Sequence, residues 1–246
     1  MKIFVINLEK DIERKKSIQE QLQNLKLDFE FINAIYGKNL NKEQLQETCP
    51  CFEKMTLTLG ELGCSLSHLN AYKKIIDHQI PISLILEDDA SLNTNLKNVL
   101  SSLERHPMTL SSTPYVFLLS KTNEYFDSFK KKLGDSHHIV SVIDAACTHG
   151  YALNLSAASK LYGHLFPVKF VADEWKMLRE QGIIKLKGVI PPVITISSHG
   201  AYSSIGKRTC VLTKLDKMNR KKNIFIQIKL TLWRVFIRTW LKKIRP

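Results

Sequence analysis

Nowhere in its 246 residues does the chain offer ~18 consecutive uncharged and predominantly apolar residues, which a membrane-spanning helix requires, so no span is expected. The opening MKIFVINLEKDIERKKS has only a short apolar run before Glu9 and Lys10, with no small-residue cleavage site after it. That pattern argues against a secretory leader. The cysteines, Cys49, Cys51, Cys64, Cys147 and Cys210, are odd in number and lack the regular spacing of a disulfide framework. Cys49-Pro50-Cys51 has no second pair to complete a zinc site, and reduced thiols on the cytoplasmic side are expected. Internal repeats and low-complexity linkers are absent before about residue 206. Acids are scarce at the far end: residues 207–246 carry 13 Lys and Arg against Asp216 alone, whereas residues 1–206 carry 23 bases and 22 acids. The net charge of +13 is therefore a property of the tail, and no second basic face supports nucleic-acid binding.

What is present reads as one α/β domain followed by that tail. The 44% hydrophobic content is enough to fill a substantial core. KIFVINL (2–8) predicts a strand, 11–25 a helix with Ile12, Ile18, Leu22 and Leu25 at helical spacing, and 28–37 a second strand. This β-α-β opening predicts a parallel pair. Thr58 and Glu61 match a capping box, so a helix is predicted over 59–78, ended before Pro81. Strands follow at 81–86, 115–120, 138–143 and 148–155, then helices at 156–165 and from Asp173 to about Gln181, and a strand-like run at 183–196.

The predicted strand at 81–86 runs directly into Glu87, Asp88 and Asp89. Adjacent carboxylates repel one another, and need water or a cation when partly buried. In open α/β sheets ligands collect at the carboxyl ends of strands, where these acids would sit. If the backbone stays extended, Glu87 and Asp89 point to one side and Asp88 to the other, so two acids can share a Mg²⁺ or Mn²⁺. A solvated turn is the plainer alternative.

Several blocks resemble glycosyltransferase family 25: Val5-Ile6-Asn7-Leu8 with Asp11 and Arg14, Ala34 and Gly37, Leu59 through His68 (LGELGCSLSH), Leu86-Glu87-Asp88-Asp89, Gly150-Tyr151-Ala152-Leu153, Asp173 and Ser204-Ile205. The likeness covers about residues 1–206. It implies a GT-A-like nucleotide-diphosphosugar transferase fold with a mixed, mainly parallel sheet, and an inverting transfer from UDP-galactose or UDP-glucose. Glu87-Asp88-Asp89 would be the counterpart of a DxD metal motif: Asp89 is the first choice of ligand, and Glu87 or Asp88 meets ribose or metal-bound water. The same resemblance suggests donor-binding roles for Asn7, Arg14, Glu61, Ser67 and His68. Arg14 is equally readable as a surface residue of its helix, and His68 as a structural histidine. Asp173 is the candidate general base, with Glu174 as substitute and Trp175 as a stacking surface for a sugar; a plain N-cap is the other role for Asp173. His149 and His199 lie beside predicted strand ends, and His199 is the candidate histidine of the metal shell.

Residues 223–245 pair a basic stripe, Arg234, Arg238, Lys242 and Arg245, with a broad apolar face. This predicts an amphipathic helix lying on an anionic bilayer, which would hold the active site beside a lipooligosaccharide acceptor at the inner face of the inner membrane. Docking on its own domain or on a second copy in a homodimer is the alternative. Competing functions are a metal-dependent nucleotide-sugar hydrolase and a non-catalytic membrane adaptor.

Overall fold

The computed structural model describes residues 1–146, 148–197 and 224–246. Its elements are β1 (Lys2–Asn7), α1 (Ile12–Asn24), β2 (Glu30–Asn33), α2 (Lys42–Thr48), α3 (Leu59–Asp77), β3 (Ile82–Glu87), β4 (Ala90–Leu92), α4 (Leu96–Glu104), β5 (Tyr115–Leu118) and β6 (Glu124–Leu133). There follow β7 (His137–Asp144), β8 (Gly150–Asn154), α5 (Leu155–Leu165), α6 (Trp175–Glu180), β9 (Lys185–Ile190), β10 (Ile194–Ile196), α7 (Ile224–Phe236) and β11 (Lys243–Ile244).

Among the described residues, nine strands form one sheet in the order β11-β6-β7-β9-β5-β8-β3-β1-β2, and β10 pairs separately with β4. The strand alternation sorts side chains between two layers. Phe4, Ile6 and Ile85 face α3, α5 and α6, packing with Leu62, Leu66, Leu161 and Trp175. Ile3, Val5, Leu84 and Leu86 face the other way, against Ile18 and Leu22 of α1 and Leu100 and Leu103 of α4. Every strand near the middle is thus covered on both faces.

The predicted parallel opening is present: β1 pairs in parallel with β2 and with β3. The expectation of a mainly parallel sheet needs correction. Only β5 and β9 add a further parallel pair, whereas β8 runs antiparallel between β3 and β5, and β6, β7, β9 and β11 are joined antiparallel. The β6–β7 hairpin turns through Gly134, whose φ of +64° suits a residue without a side chain. The run at 183–196 is not one strand either. It breaks at Pro191-Pro192, and its second half leaves the main sheet to pair with β4.

The capping box forms as expected: the Thr58 hydroxyl accepts from the Glu61 N–H at 3.1 Å, and the Glu61 carboxylate accepts from the Thr58 N–H at 2.9 Å. The α3 helix can approach the loop after β2 because two glycines meet there. A Cβ on Gly37 would lie 1.7 Å from the Leu59 carbonyl oxygen, and one on Gly63 would lie 2.4 Å from the Ile35 oxygen. Ser67 ties the same contact, accepting from the Ile35 N–H at 2.8 Å while donating to the Gly63 carbonyl at 2.7 Å.

The predicted single tail helix over 223–245 is shorter than expected. Within the described residues α7 ends at Phe236, and β11 adds to the open edge of β6, pairing Lys243 with Phe126. Among the described residues, no helix is long and apolar enough to cross a membrane.

Candidate active site

The parallel register aligns the carboxyl ends of β1, β2 and β3, with Asn7 beside Asn33 and Ile6 beside Glu87. Because β8 is antiparallel to β3, its first residue, Gly150, lies beside Leu86, and the Glu87 N–H donates to the His149 carbonyl at 3.1 Å. The segment before β8 therefore arrives at the edge where β3 leaves. A cleft of about 170 Å³ opens there, lined by Arg14, Tyr36, Gly37, Cys64, Ser67, His68, Glu87, Asp88 and Asp89 among others.

The three consecutive acids divide. Glu87 and Asp89 converge with His149, their ligand atoms all lying within 4.8 Å of one another. The His149 Nδ1 atom is 3.0 Å from Asp89 Oδ1 and 3.8 Å from Glu87 Oε2. Asp88 turns instead toward β1 and α1, accepting from Asn7 Nδ2 at 2.8 Å and meeting Arg14 Nη1 at 3.5 Å. Burial pushes the Asp88 carboxyl up to about 6, assisted by Asp89 and Asp11 and opposed by Asn7 and Arg14. Burial would also raise Glu87, but hydrogen bonds from His68 and Thr148 and the nearby charges of His68 and His149 outweigh it, holding Glu87 below the usual carboxylate range.

His68 is buried under the cleft floor. Its Nε2 is 3.2 Å from Glu87 Oε1, and its Nδ1 is 2.7 Å from the Tyr151 hydroxyl, which is in turn 2.7 Å from the Tyr72 hydroxyl. The Thr148 hydroxyl donates to the same Glu87 oxygen. A chain of buried polar groups thus runs from the core to one oxygen of Glu87, leaving its other oxygen toward His149.

Other expected site residues fall elsewhere. The carboxylate of Glu61 is committed to the cap of α3, outside the cleft lining. Asp173 is not the N-cap: Glu174 holds that position, without a capping hydrogen bond from its side chain, and the Trp175 N–H bonds the Asp173 carbonyl at 2.7 Å. Both acids are half-buried. The expectation of Trp175 as a sugar-stacking surface is overturned. Trp175 is 0% exposed, its ring edge-on to Tyr151 at 5.0 Å beneath the site. His199, Cys147, Cys210 and Ser204-Ile205 lie outside the described residues.

The sequence had marked His149 only as one of two histidines near strand ends, and gave no role to Tyr72, Tyr151 or Thr148. Their places depend on the antiparallel pairing of β8 with β3, a long-range fact without a local signal.

Comparison with known proteins agrees with this geometry. Residues 1–175 match the family model described as "Glycosyltransferase family 25 (LPS biosynthesis protein)". The chain belongs to glycosyltransferase family 25. Similar family members include procollagen galactosyltransferase 1-A of Xenopus laevis, 28% identical over 167 residues, which are 65% of this chain and 27% of that protein. Procollagen galactosyltransferase 2 of Homo sapiens is 27% identical over 169 residues, 65% of this chain and 27% of its own length. A glycosyltransferase 25 family member of Drosophila pseudoobscura pseudoobscura is 28% identical over 168 residues, 65% of this chain and 26% of its own. The chain thus matches about a quarter of the length of these family 25 relatives. The matched region, 1–175, contains β1, α3, the Glu87–Asp89 turn and His149, so the family resemblance and the cleft fall on the same residues.

Proposed function

We propose that this family 25 protein is a GT-A-like glycosyltransferase that moves galactose or glucose, with inversion, from a UDP-sugar to a lipooligosaccharide acceptor. The observation carrying this proposal is the convergence of Glu87, Asp89 and His149 beside a cleft at the carboxyl ends of three adjacent strands. Galactose is supported by the names of the procollagen galactosyltransferase relatives, and the lipooligosaccharide acceptor by the family description.

Two carboxylates and one imidazole suit a divalent cation such as Mn²⁺ or Mg²⁺, the imidazole favouring Mn²⁺. Such an ion, when bound, offsets the charge that develops on the departing diphosphate. Arg14 lines the cleft, while Asn7 anchors Asp88 and so fixes the turn from which Glu87 and Asp89 project. Asp173 takes the proton of the acceptor hydroxyl as that oxygen attacks the anomeric carbon, with Glu174 the neighbouring substitute. Ser67 and His68 shape the floor on which the donor rests.

We further propose that the protein works on the cytoplasmic face of the inner membrane, docked through α7. That helix presents Phe225, Ile228, Leu232 and Phe236 to solvent along one stripe, with Phe225 76% exposed and the following Trp240 86%. An exposed apolar stripe on a helix whose preceding segment carries Arg220-Lys221-Lys222 suits an anionic lipid surface.

Incubation with Mn²⁺ and UDP-sugars tests the activity. Slow UDP release that accelerates with an oligosaccharide acceptor is expected. Fast release without acceptor would mark a hydrolase, and absence of UDP-sugar-induced thermal stabilisation would mark a non-catalytic adaptor.

A further inference from the structure

Cys64 sits one helical turn before His68 on α3, so its sulfur and the imidazole lie on the same face of the helix. The sulfur, a ring nitrogen of His68 and a carboxylate oxygen of Glu87 all lie within 4.8 Å of one another. Ligands about 2.0–2.3 Å from a tetrahedral zinc stand roughly 3.3–3.8 Å apart, so the three atoms need to close by about 1.5 Å at most. Thiolate, imidazole and carboxylate form a borderline-soft set, unlike the two oxygens and one nitrogen of the Glu87, Asp89 and His149 group. We propose that Cys64, His68 and Glu87 form a second cation site selective for Zn²⁺ and similar thiophilic divalent ions, and that it competes with the Mn²⁺ site for Glu87. The competitive part rests on the proposed hard-ion site; the thiophilic site itself does not.

Two further observations support it. Cys64 lines the same cleft as the carboxylates of Glu87 and Asp89, so the sulfur lies beside negative charge that favours an arriving cation. On binding, the thiol proton leaves to solvent and the sulfur takes the metal in its place. The buried tyrosine pair also lets His68 change tautomer without moving a heavy atom. In one arrangement that these distances allow, Tyr72 donates to Tyr151, Tyr151 donates to His68 Nδ1, and the Nε2 hydrogen is given to Glu87. Reversing Tyr151 and placing the hydrogen on Nδ1 frees the Nε2 lone pair for a metal, as an outer hydrogen bond does for many ligating histidines. The reversed state deprives the Tyr72 hydroxyl of that acceptor, a cost that a cation bound at Nε2 offsets.

Cobalt titration reads this directly, because a Co²⁺–thiolate bond gives a charge-transfer absorption in the near ultraviolet. The full chain is expected to show this band at one equivalent of Co²⁺, to lose it on adding Zn²⁺, and to lack it in Cys64→Ser and in Cys64→Ala. The remaining cysteines stay in both variants, so a band that persists there would overturn the proposal, as would its absence from the unmodified chain. Circular dichroism confirms that the variants are folded. Electron paramagnetic resonance of Mn²⁺ supplies the second arm: one equivalent of Zn²⁺ is expected to weaken Mn²⁺ binding at least fivefold in the unmodified chain and less than twofold in Cys64→Ser. A cobalt band in a protein that binds no Mn²⁺ would leave the thiophilic site standing and remove the hard-ion site. Unaltered Mn²⁺ affinity in the presence of Zn²⁺ would overturn the competition through Glu87.

Discussion

Asp88 and Asp89 are neighbours in sequence but face different surroundings, and substitution separates them. Asp89 faces His149 and Glu87, so Asp89→Asn is expected to weaken Mn²⁺ binding tenfold or more, read by the resonance signal of free Mn²⁺. Asp88 faces Asn7 and Arg14, so Asp88→Asn should change Mn²⁺ affinity less than threefold. Equal losses from the two would remove the division of labour. Asp173→Asn is expected to cut turnover by about 10² while UDP-sugar still binds, the size of effect that follows loss of a general base. Collapse of donor affinity with turnover retained would make Asp173 a donor contact instead. That Glu87 and Asp89 share a side was expected from alternation along an extended strand, but the chain turns at Asp88-Asp89, and the turn sets the division. His149 was not legible as their partner, since nothing local in Thr148-His149-Gly150 tells which strand end it will meet. Trp175 misled because an aromatic beside two acids resembles a sugar platform, whereas its burial is decided by the packing of Tyr151 and the layer beneath.

At the scale of elements, the seating of α3 against the loop after β2 depends on the facing glycines. Gly63→Ala would put a methyl carbon into the Ile35 carbonyl, and is expected to cost about 1–3 kcal/mol, as overpacking does, measured by denaturant unfolding. The capped start of α3 and the β1-α1-β2 unit were readable because caps and periodicity are local signals. The strand expected at 138–143 is β7, but its partner β6 was not readable: Lys130, Lys131 and Lys132 interrupt its apolar alternation, and it holds its place through its neighbours. The orientation of the tail was not legible. Arg234 meets Glu180 at 3.6 Å, Arg238 and Arg245 meet Glu124 at 3.7 and 3.4 Å, and Lys242 meets Asp127 at 3.6 Å, so the basic stripe expected to face lipid is turned toward the domain. Replacing Ile228 and Leu232 by Gln is therefore expected to reduce binding to anionic vesicles severalfold without lowering the melting temperature. Deleting residues 222–246 should lower it, because Phe126 loses the Trp233 ring that packs edge-on at 5.6 Å. Vesicle binding unchanged by the double substitution would dismiss α7 as the membrane contact.

For the molecule as a whole, acidification is the informative perturbation. Burial holds His106, His137 and His164 below the ordinary histidine value, so the folded state keeps them neutral where the unfolded chain, near pH 6.5, takes up protons. Their contribution is whole above that pH and is lost as pH falls toward the lower folded values. Asp88 acts with the opposite sign: with its folded value raised to about 6, it binds a proton in the fold before the unfolded chain does, and recovers stability below pH 6. In chelator, the melting temperature is expected to decline from pH 7.5 to 5.5, and more steeply in Asp88→Asn. A flat profile in both proteins would contradict these assignments. The α/β class and the place of the site at a strand edge were legible from the sequence, while the antiparallel half of the sheet was not, since its pairings join distant segments. One of those pairings has a consequence for synthesis. The Lys242 N–H that donates to Ser128 Oγ beside β11 lies 114 positions later in the chain, an interval that a ribosome elongating at 5–20 residues per second covers in roughly 6–23 s. Through that time the nascent β6 presents unpaired N–H and C=O groups, so the sheet must pass through a stage in which its margin is open to other chains or to a chaperone.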